Sequence, residues 1–155
     1  TQSLIVVLFL LTLPVTATGA MTISDLSGSD YTSADARAAE WMIEETDQNS
    51  LFLIQGPEEE IAFHGRRNVV NMPWGAEWTG ESTILYQALK DVEVCQTPEC
   101  INRVICEYGF SDVDYIYLQK SNINHSDFEQ SVLYSNSYEN NQVMIFKWMN
   151  ETTSS

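Results

Sequence analysis

The chain has 155 residues, with 7 Lys and Arg against 22 Asp and Glu, a formal net charge of -15 and 44% hydrophobic residues. That length suits one domain with its own core, and an aromatic content of 11% excludes a disordered chain. So few basic residues exclude a phosphate-neutralising nucleic-acid surface, and an anionic membrane surface would repel the chain.

The chain begins at Thr1 rather than Met, as expected of a fragment or a processed product. No charged residue precedes Asp25. Leu4 to Leu13 is apolar except for Thr12. Residues 1–24 are expected to be a transmembrane segment, with 4–23 in the membrane, since roughly 20 apolar residues cross a bilayer. A signal peptide is the alternative: the apolar core has the length of an h-region, and Val15-Thr16-Ala17 or Thr18-Gly19-Ala20 would serve as a cleavage site. A buried helix is a third reading. The flank carries Asp25, Asp30 and Asp35 before its first basic residue, Arg37, so it reads as extracytoplasmic. Two sequons agree, Asn124-His125-Ser126 and Asn150-Glu151-Thr152, although each also reads as plain polar loop.

Residues 25–31 read as a linker, 32–150 as a folded domain and 151–155 as a disordered tail. Thr32 and Asp35 have capping-box spacing, which predicts a helix to about Thr46 with Ala36, Ala39 and Ile43 inward and Ala38 and Met42 beside them. Leu51-Phe52-Leu53-Ile54, stopped by Gly56-Pro57, predicts a strand buried on both faces. Glu58 to Phe63 predicts a short helix, and Asn68 to Asn71 a second strand. Ser82 to Val92 predicts a helix with Ile84, Leu85, Ala88 and Leu89 inward. Thr97-Pro98 opens another helix, whose stripe is Ile101, Val104, Ile105 and Tyr108 and whose stop is Gly109. Val113 to Leu118 is β-branched and aromatic and predicts a strand. Ser126 and Glu129 predict a capping box before a helix carrying Phe128, Val132 and Leu133. Tyr134 to Tyr138 and Gln142 to Trp148 predict a hairpin, with Asn140-Asn141 supplying positive φ in its turn. Strands alternating with helices imply an α/β fold: a small three-layer, Rossmann-like, mostly parallel sheet with a C-terminal antiparallel hairpin.

The residues that carry chemistry are few. Cys95 and Cys100 are spaced to clip one loop by a disulfide, and Cys106 reads as a small core residue. Metal binding by the cysteines lacks a CxxC pair, and no metal site is expected. His64 and His125 lie in no catalytic motif, and Glu60 and His64 read as a surface pair. Glu58-Glu59-Glu60 suits a solvated first helical turn, favoured by the helix dipole. Arg66-Arg67 is the one basic doublet. It would suit a lipid phosphate or an anionic sugar, or would pair with nearby glutamates. Trp74, Glu77 and Trp78 resemble a carbohydrate platform, two stacking faces around a hydroxyl acceptor; packing over the sheet edge is the alternative. No glycine-rich phosphate cradle occurs, so no nucleotide cofactor is expected.

The order of features resembles the membrane-proximal C-terminal region of polytopic GT-C-type glycosyltransferases, archaeal ones especially. The residues that carry it are the helix at Ala36 to Thr46 (ARAAEWMIEET), the strand at Leu51 to Ile54 and the Gly65 to Val70 turn and strand. The proline loop at Met72 to Trp78, the step from Tyr108-Gly109 through Asp114-Tyr115-Ile116, and the Tyr134 to Phe146 hairpin complete it. The resemblance implies an extracytoplasmic domain behind the last membrane helix of an enzyme that moves sugar from a polyprenyl-phosphate carrier. That family's catalytic carboxylate sits in an early outside loop, so no catalytic residue is expected in this chain. The expected function is acceptor recognition or a structural cap. The alternative is a freestanding secreted or membrane-anchored carbohydrate-binding module, and a small secreted hydrolase is least favoured, because no nucleophile–base pair is apparent.

Overall fold

The computed structural model describes residues 31–72 and 82–149. The apolar segment at 1–24, most of the linker at 25–31, the loop holding Trp74, Glu77 and Trp78, the sequon residue Asn150 and the tail at 151–155 lie outside the described residues. Among the described residues, no helix is long and apolar enough to cross a membrane.

The elements follow in the order α1 (Ser33–Glu45), β1 (Leu51–Ile54), α2 (Glu58–Gly65), β2 (Asn68–Val69), α3 (Ser82–Glu93), α4 (Pro98–Tyr108), β3 (Tyr115–Gln119), α5 (His125–Gln130), β4 (Tyr134–Glu139) and β5 (Val143–Trp148). A single 3-10 turn, Lys120–Asn122, links β3 to α5. The five strands form one mixed sheet in the order β2-β1-β3-β5-β4. β1 pairs in parallel with β2 and β3, while β5 pairs antiparallel with both β3 and β4. The sheet is therefore mixed rather than mostly parallel. The hairpin forms one edge of the sheet, and its second strand, β5, lies beside β3 and takes part in half of the strand pairings.

Alternate residues of the strands face opposite cores, as pleating requires. Leu53, Ile116, Leu118, Met144 and Phe146 pack with Val92, Ile101, Val104, Ile105 and Phe128 of α3, α4 and α5. Phe52, Ile54, Tyr117, Val143 and Ile145 pack with Ala34, Ala38 and Met42 of α1 and Ile61 of α2. Helices on both faces explain why β1 reads as an unbroken apolar run. Each large apolar side chain fully buried in these cores contributes roughly 1.5–3 kcal/mol.

The local signals act as physical chemistry requires in most places. Thr32 caps α1 through the Ala34 and Asp35 amides, and Asp35 returns the bond to the Thr32 amide. Thr97 caps α4, and Gly109 ends it with φ 72°. Four expectations are corrected. The buried face of α1 is Ala34, Asp35, Ala38, Ala39 and Met42, so Ala36 and Ile43 face solvent. In α3, Ala88 and Val92 are buried while Ile84 is exposed. α5 begins at His125 with Asn124 at its N-cap, which puts Ser126 inside the helix, and Val132 is exposed. The β4–β5 turn uses no positive φ, since Arg66 is the sole non-glycine residue with one among the described residues. Instead the Asn140 side-chain oxygen accepts from the Gln142 and Val143 amides, both at 2.9 Å. Asparagine thus serves as a side-chain acceptor that closes the turn.

β2 is only two residues long, yet β1 is not left open beyond it. The Asn71 side chain donates to the Ile54 carbonyl at 2.7 Å and accepts from the Ile54 amide at 3.0 Å. A buried side-chain amide continues the ladder where the backbone turns away.

Candidate functional site

In open α/β sheets, ligands settle at the carboxyl ends of the parallel strands, where the chain connects outward in two directions. β1 has that position here, with β2 on one side and β3 on the other. A cavity of about 350 Å3 opens at the carboxyl end of β3, lined by Thr32, Asp35, Gln119, Lys120, Ser121, Asn141 and Gln142. Three elements converge there. α1 runs back along the sheet and brings its N-terminus to the cavity. Gln119, Lys120 and Ser121 leave β3, and the hairpin turn supplies Asn141 and Gln142.

Each wall has a physical cause. Gly56 has φ 139°, and a Cβ there would lie 3.0 Å from the Gln119 side-chain nitrogen. Only glycine allows the chain to turn after β1 and lets Gln119 lie across it. Asp35 is 1% exposed. Its Oδ2 accepts from the Thr32 amide at 2.6 Å and from the Thr32 hydroxyl at 2.7 Å, while Oδ1 accepts from the buried Tyr117 hydroxyl. Burial, then the bond to Asp35, pushes the Tyr117 phenol far above its ordinary pKa. Lys120 donates to Glu139 and holds that carboxyl below its usual range. Arg37 donates to the Asn141 side-chain oxygen at 3.3 Å and steadies the far wall.

The lining is a set of amides and hydroxyls with one cation. Its carboxylate is already committed to three donors, and the described lining holds no histidine or cysteine. The arrangement can exchange hydrogen bonds with a polyhydroxylated ligand. It offers no nucleophile beside a free base.

The residues singled out in the sequence are dispersed. Arg66 forms the left-handed cap after α2 with φ 51°. Arg67 is only 9% exposed, and its guanidinium donates to the Ile43 and Thr46 carbonyls at 3.0 and 2.7 Å, the Thr46 hydroxyl at 2.9 Å and the Arg66 carbonyl at 3.0 Å. It closes the C-terminus of α1, with its donors engaged by Ile43, Thr46 and Arg66. A second, more apolar cavity of about 400 Å3 is lined by Glu59, Ala62, Phe63, Arg67 and Met72. His64 stacks on Tyr31, with ring centroids 4.8 Å apart. Cys95 and Cys100 are joined by a disulfide. Cys106 is exposed on α4 rather than a core residue, because it lies one position beyond the buried Ile101, Val104 and Ile105 stripe. Asn124 is exposed at the start of α5, and the Ser126 hydroxyl donates to its side-chain oxygen at 3.2 Å.

The polar cavity was not legible as a motif, because its residues come from three separate segments. The usable signals were the Gly56 stop after β1 and the polar run Gln119-Lys120-Ser121 after the best strand. In the sequence Trp41 stands only within a predicted helix. It lies 5.4 Å from Tyr138 and 6.1 Å from Tyr115 and is half-buried between α1 and the sheet.

No known family model matches the chain, and no curated protein shows significant similarity to it. The fold and the cavity define its class at one level, an α/β domain with a polar cavity at the carboxyl end of its sheet.

Proposed function

We propose that this is an extracytoplasmic recognition domain of a membrane glycosyltransferase, and that it holds a glycan or a polyprenyl-linked sugar acceptor without catalysing transfer itself. The observation that carries the reading is the cavity at the end of β3. Amides and hydroxyls dominate its wall, as hydroxyl-rich ligands require, and its carboxylate is too thoroughly bonded to act as a base. The Cys95–Cys100 disulfide favours an oxidising compartment. The three-layer, Rossmann-like description fits helices on both faces and a parallel β2-β1-β3 unit, and it is the reason ligands are sought at that edge. The membrane anchor belongs to residues 1–24.

A freestanding carbohydrate-binding module would use the same cavity, or the Trp74, Glu77 and Trp78 platform. The open reading frame upstream of Thr1 separates the two: many apolar spans support the transferase, and a short basic leader supports the module. Binding itself is tested by titrating the chain with neutral and anionic oligosaccharides in a calorimeter. Ser121→Trp places a bulky side chain at the cavity and is expected to weaken binding by about tenfold or more, a loss of about 1.4 kcal/mol, with an unchanged melting temperature. If Trp74→Ala abolishes binding and Ser121→Trp does not, the tryptophan platform is the site. If no oligosaccharide binds, the recognition reading fails.

A further inference from the structure

Three metal-type ligands meet where α5 approaches the end of β4. His125 and Glu129 lie one helical turn apart on α5, and Glu139 closes β4. One donor atom from each lies within 4.8 Å of the others. His125 Nδ1 is 4.0 Å from Glu129 Oε2, and Nε2 is 3.5 Å from Glu139 Oε1. The His125 side chain is 41% exposed as a whole, but its Nε2 atom is shut off from solvent and has no hydrogen-bond partner. That is unusual for a shielded polar atom, which nearly always finds one.

The chemistry of the neighbours says what is missing. The lone pair of a neutral imidazole and a carboxylate are both acceptors, so neither can satisfy the other. With the imidazole proton on Nδ1, the Nε2 lone pair faces a carboxylate oxygen, and a cation between them would serve both. Lys120 partly answers this need by donating to Glu139 Oε1, but it leaves Nε2 unserved. Asn136 donates to Glu139 Oε2 at 3.2 Å and orients the carboxylate from behind, as an outer-shell group does at a metal. One imidazole nitrogen with two carboxylates suits a borderline divalent ion with open positions, rather than calcium, which takes six to eight oxygens. The net charge of -15 favours any cation.

We propose that His125, Glu129 and Glu139 bind a divalent transition-metal ion of the zinc class, with Lys120 giving way at Glu139 when the ion enters. The site joins α5 to β4, so the ion is a clasp between that helix and the hairpin. This goes beyond glycan recognition and does not depend on it.

The test uses the full chain, expressed without a histidine tag and stripped with chelator, then titrated with Zn2+ by calorimetry and with Co2+ by visible absorption. One ion per chain is expected, with cobalt bands showing a nitrogen ligand. His125→Ala and Glu139→Gln each weaken binding by at least roughly tenfold, and Lys120→Met, which removes the competing ammonium, tightens it. His64→Ala, at the other histidine, changes nothing. The melting curve of each metal-free variant shows that it folds. The proposal is overturned if no ion binds at millimolar concentration. It is equally overturned if His125→Ala binds as wild type does, because the ion would then be scattered over the acidic surface; a protonated His125 bridging the two glutamates would be the remaining explanation of the cluster.

Discussion

Replacing Arg67 by alanine separates a structural arginine from a ligand-binding one. Its guanidinium makes four hydrogen bonds, three of them to Ile43 and Thr46 at the end of α1. Hydrogen bonds from a charged donor contribute about 1.5–3 kcal/mol each, but they are not additive, and water reaches the partly exposed Thr46. A cation at a helix C-terminus adds about 0.3–1 kcal/mol. With 9% exposure, little of the guanidinium is hydrated in the folded state. We expect a net loss of about 3 kcal/mol, which lowers the melting temperature by on the order of 10 °C for a domain of this size. Arg67→Lys should recover little, because a single ammonium cannot reproduce the fork. The neighbouring Arg66→Gly should hold or raise stability, because Arg66 has φ 51° and the left-handed conformation disfavours side chains by roughly 1–2 kcal/mol. Urea melts followed by circular dichroism measure all three. An Arg67→Ala variant as stable as wild type would refute the reasoning and leave Arg67 a candidate anion ligand.

Other predictions follow from single contacts. Asn71→Ala leaves the buried amide and carbonyl of Ile54 unpaired and should cost about 2 kcal/mol; wild-type stability in denaturant would contradict that role. Gly56→Ala must both strain the backbone and push Gln119 aside, so it should lower stability and oligosaccharide affinity together, read by melting and by calorimetry; a loss of neither sinks the argument. Reduction of Cys95–Cys100, whose partners are five residues apart, releases a short loop and should cost about 2 kcal/mol, seen as a lower melting temperature in dithiothreitol. The phenols of Tyr117 and Tyr134 are raised, by burial first in both cases and in Tyr117 also by the bond to Asp35. A raised phenol stabilises the fold fully below its unfolded pKa of about 10 and loses that contribution as pH climbs through and above it. Stability should therefore fall above about pH 10 as these phenols ionise on unfolding; two extra tyrosinates in the native absorption spectrum at that pH would contradict the buried placement.

Much of the fold was legible because local chemistry and global packing agree. The Thr32–Asp35 box, the Thr97-Pro98 start and the Gly109 stop act where their spacing indicates. Leu51 to Ile54 lacks alternation, and the structure explains this by helices on both faces. The failures have particular causes. Ala36 and Ile43 fit a helical stripe as well as Ala34, Ala38 and Met42 do, and nothing in α1 alone says which stripe meets the sheet. Asp35 looked like a cap only, yet it is also the partner of a tyrosine 82 residues away. Arg67 reads from the sequence as a partner for an anion or a glutamate because three of its four acceptors are backbone carbonyls, which no side-chain pattern displays. Glu139 could not be joined to His125 without knowing that β4 folds back past α5, although the His125–Glu129 helical spacing was visible. The hairpin was legible, but its insertion beside β3 was not, since strand order is not written in any one strand.

The central claim is that the cavity at the end of β3 receives a hydroxyl-rich ligand. The most direct measurement is a two-dimensional amide NMR titration of the 15N-labelled chain with the oligosaccharides that bind in the calorimeter. The account predicts that the amides of Lys120, Ser121, Asn141 and Gln142 shift together and saturate with one affinity. Shifts confined to residues remote from that cavity, or none at all, would contradict it.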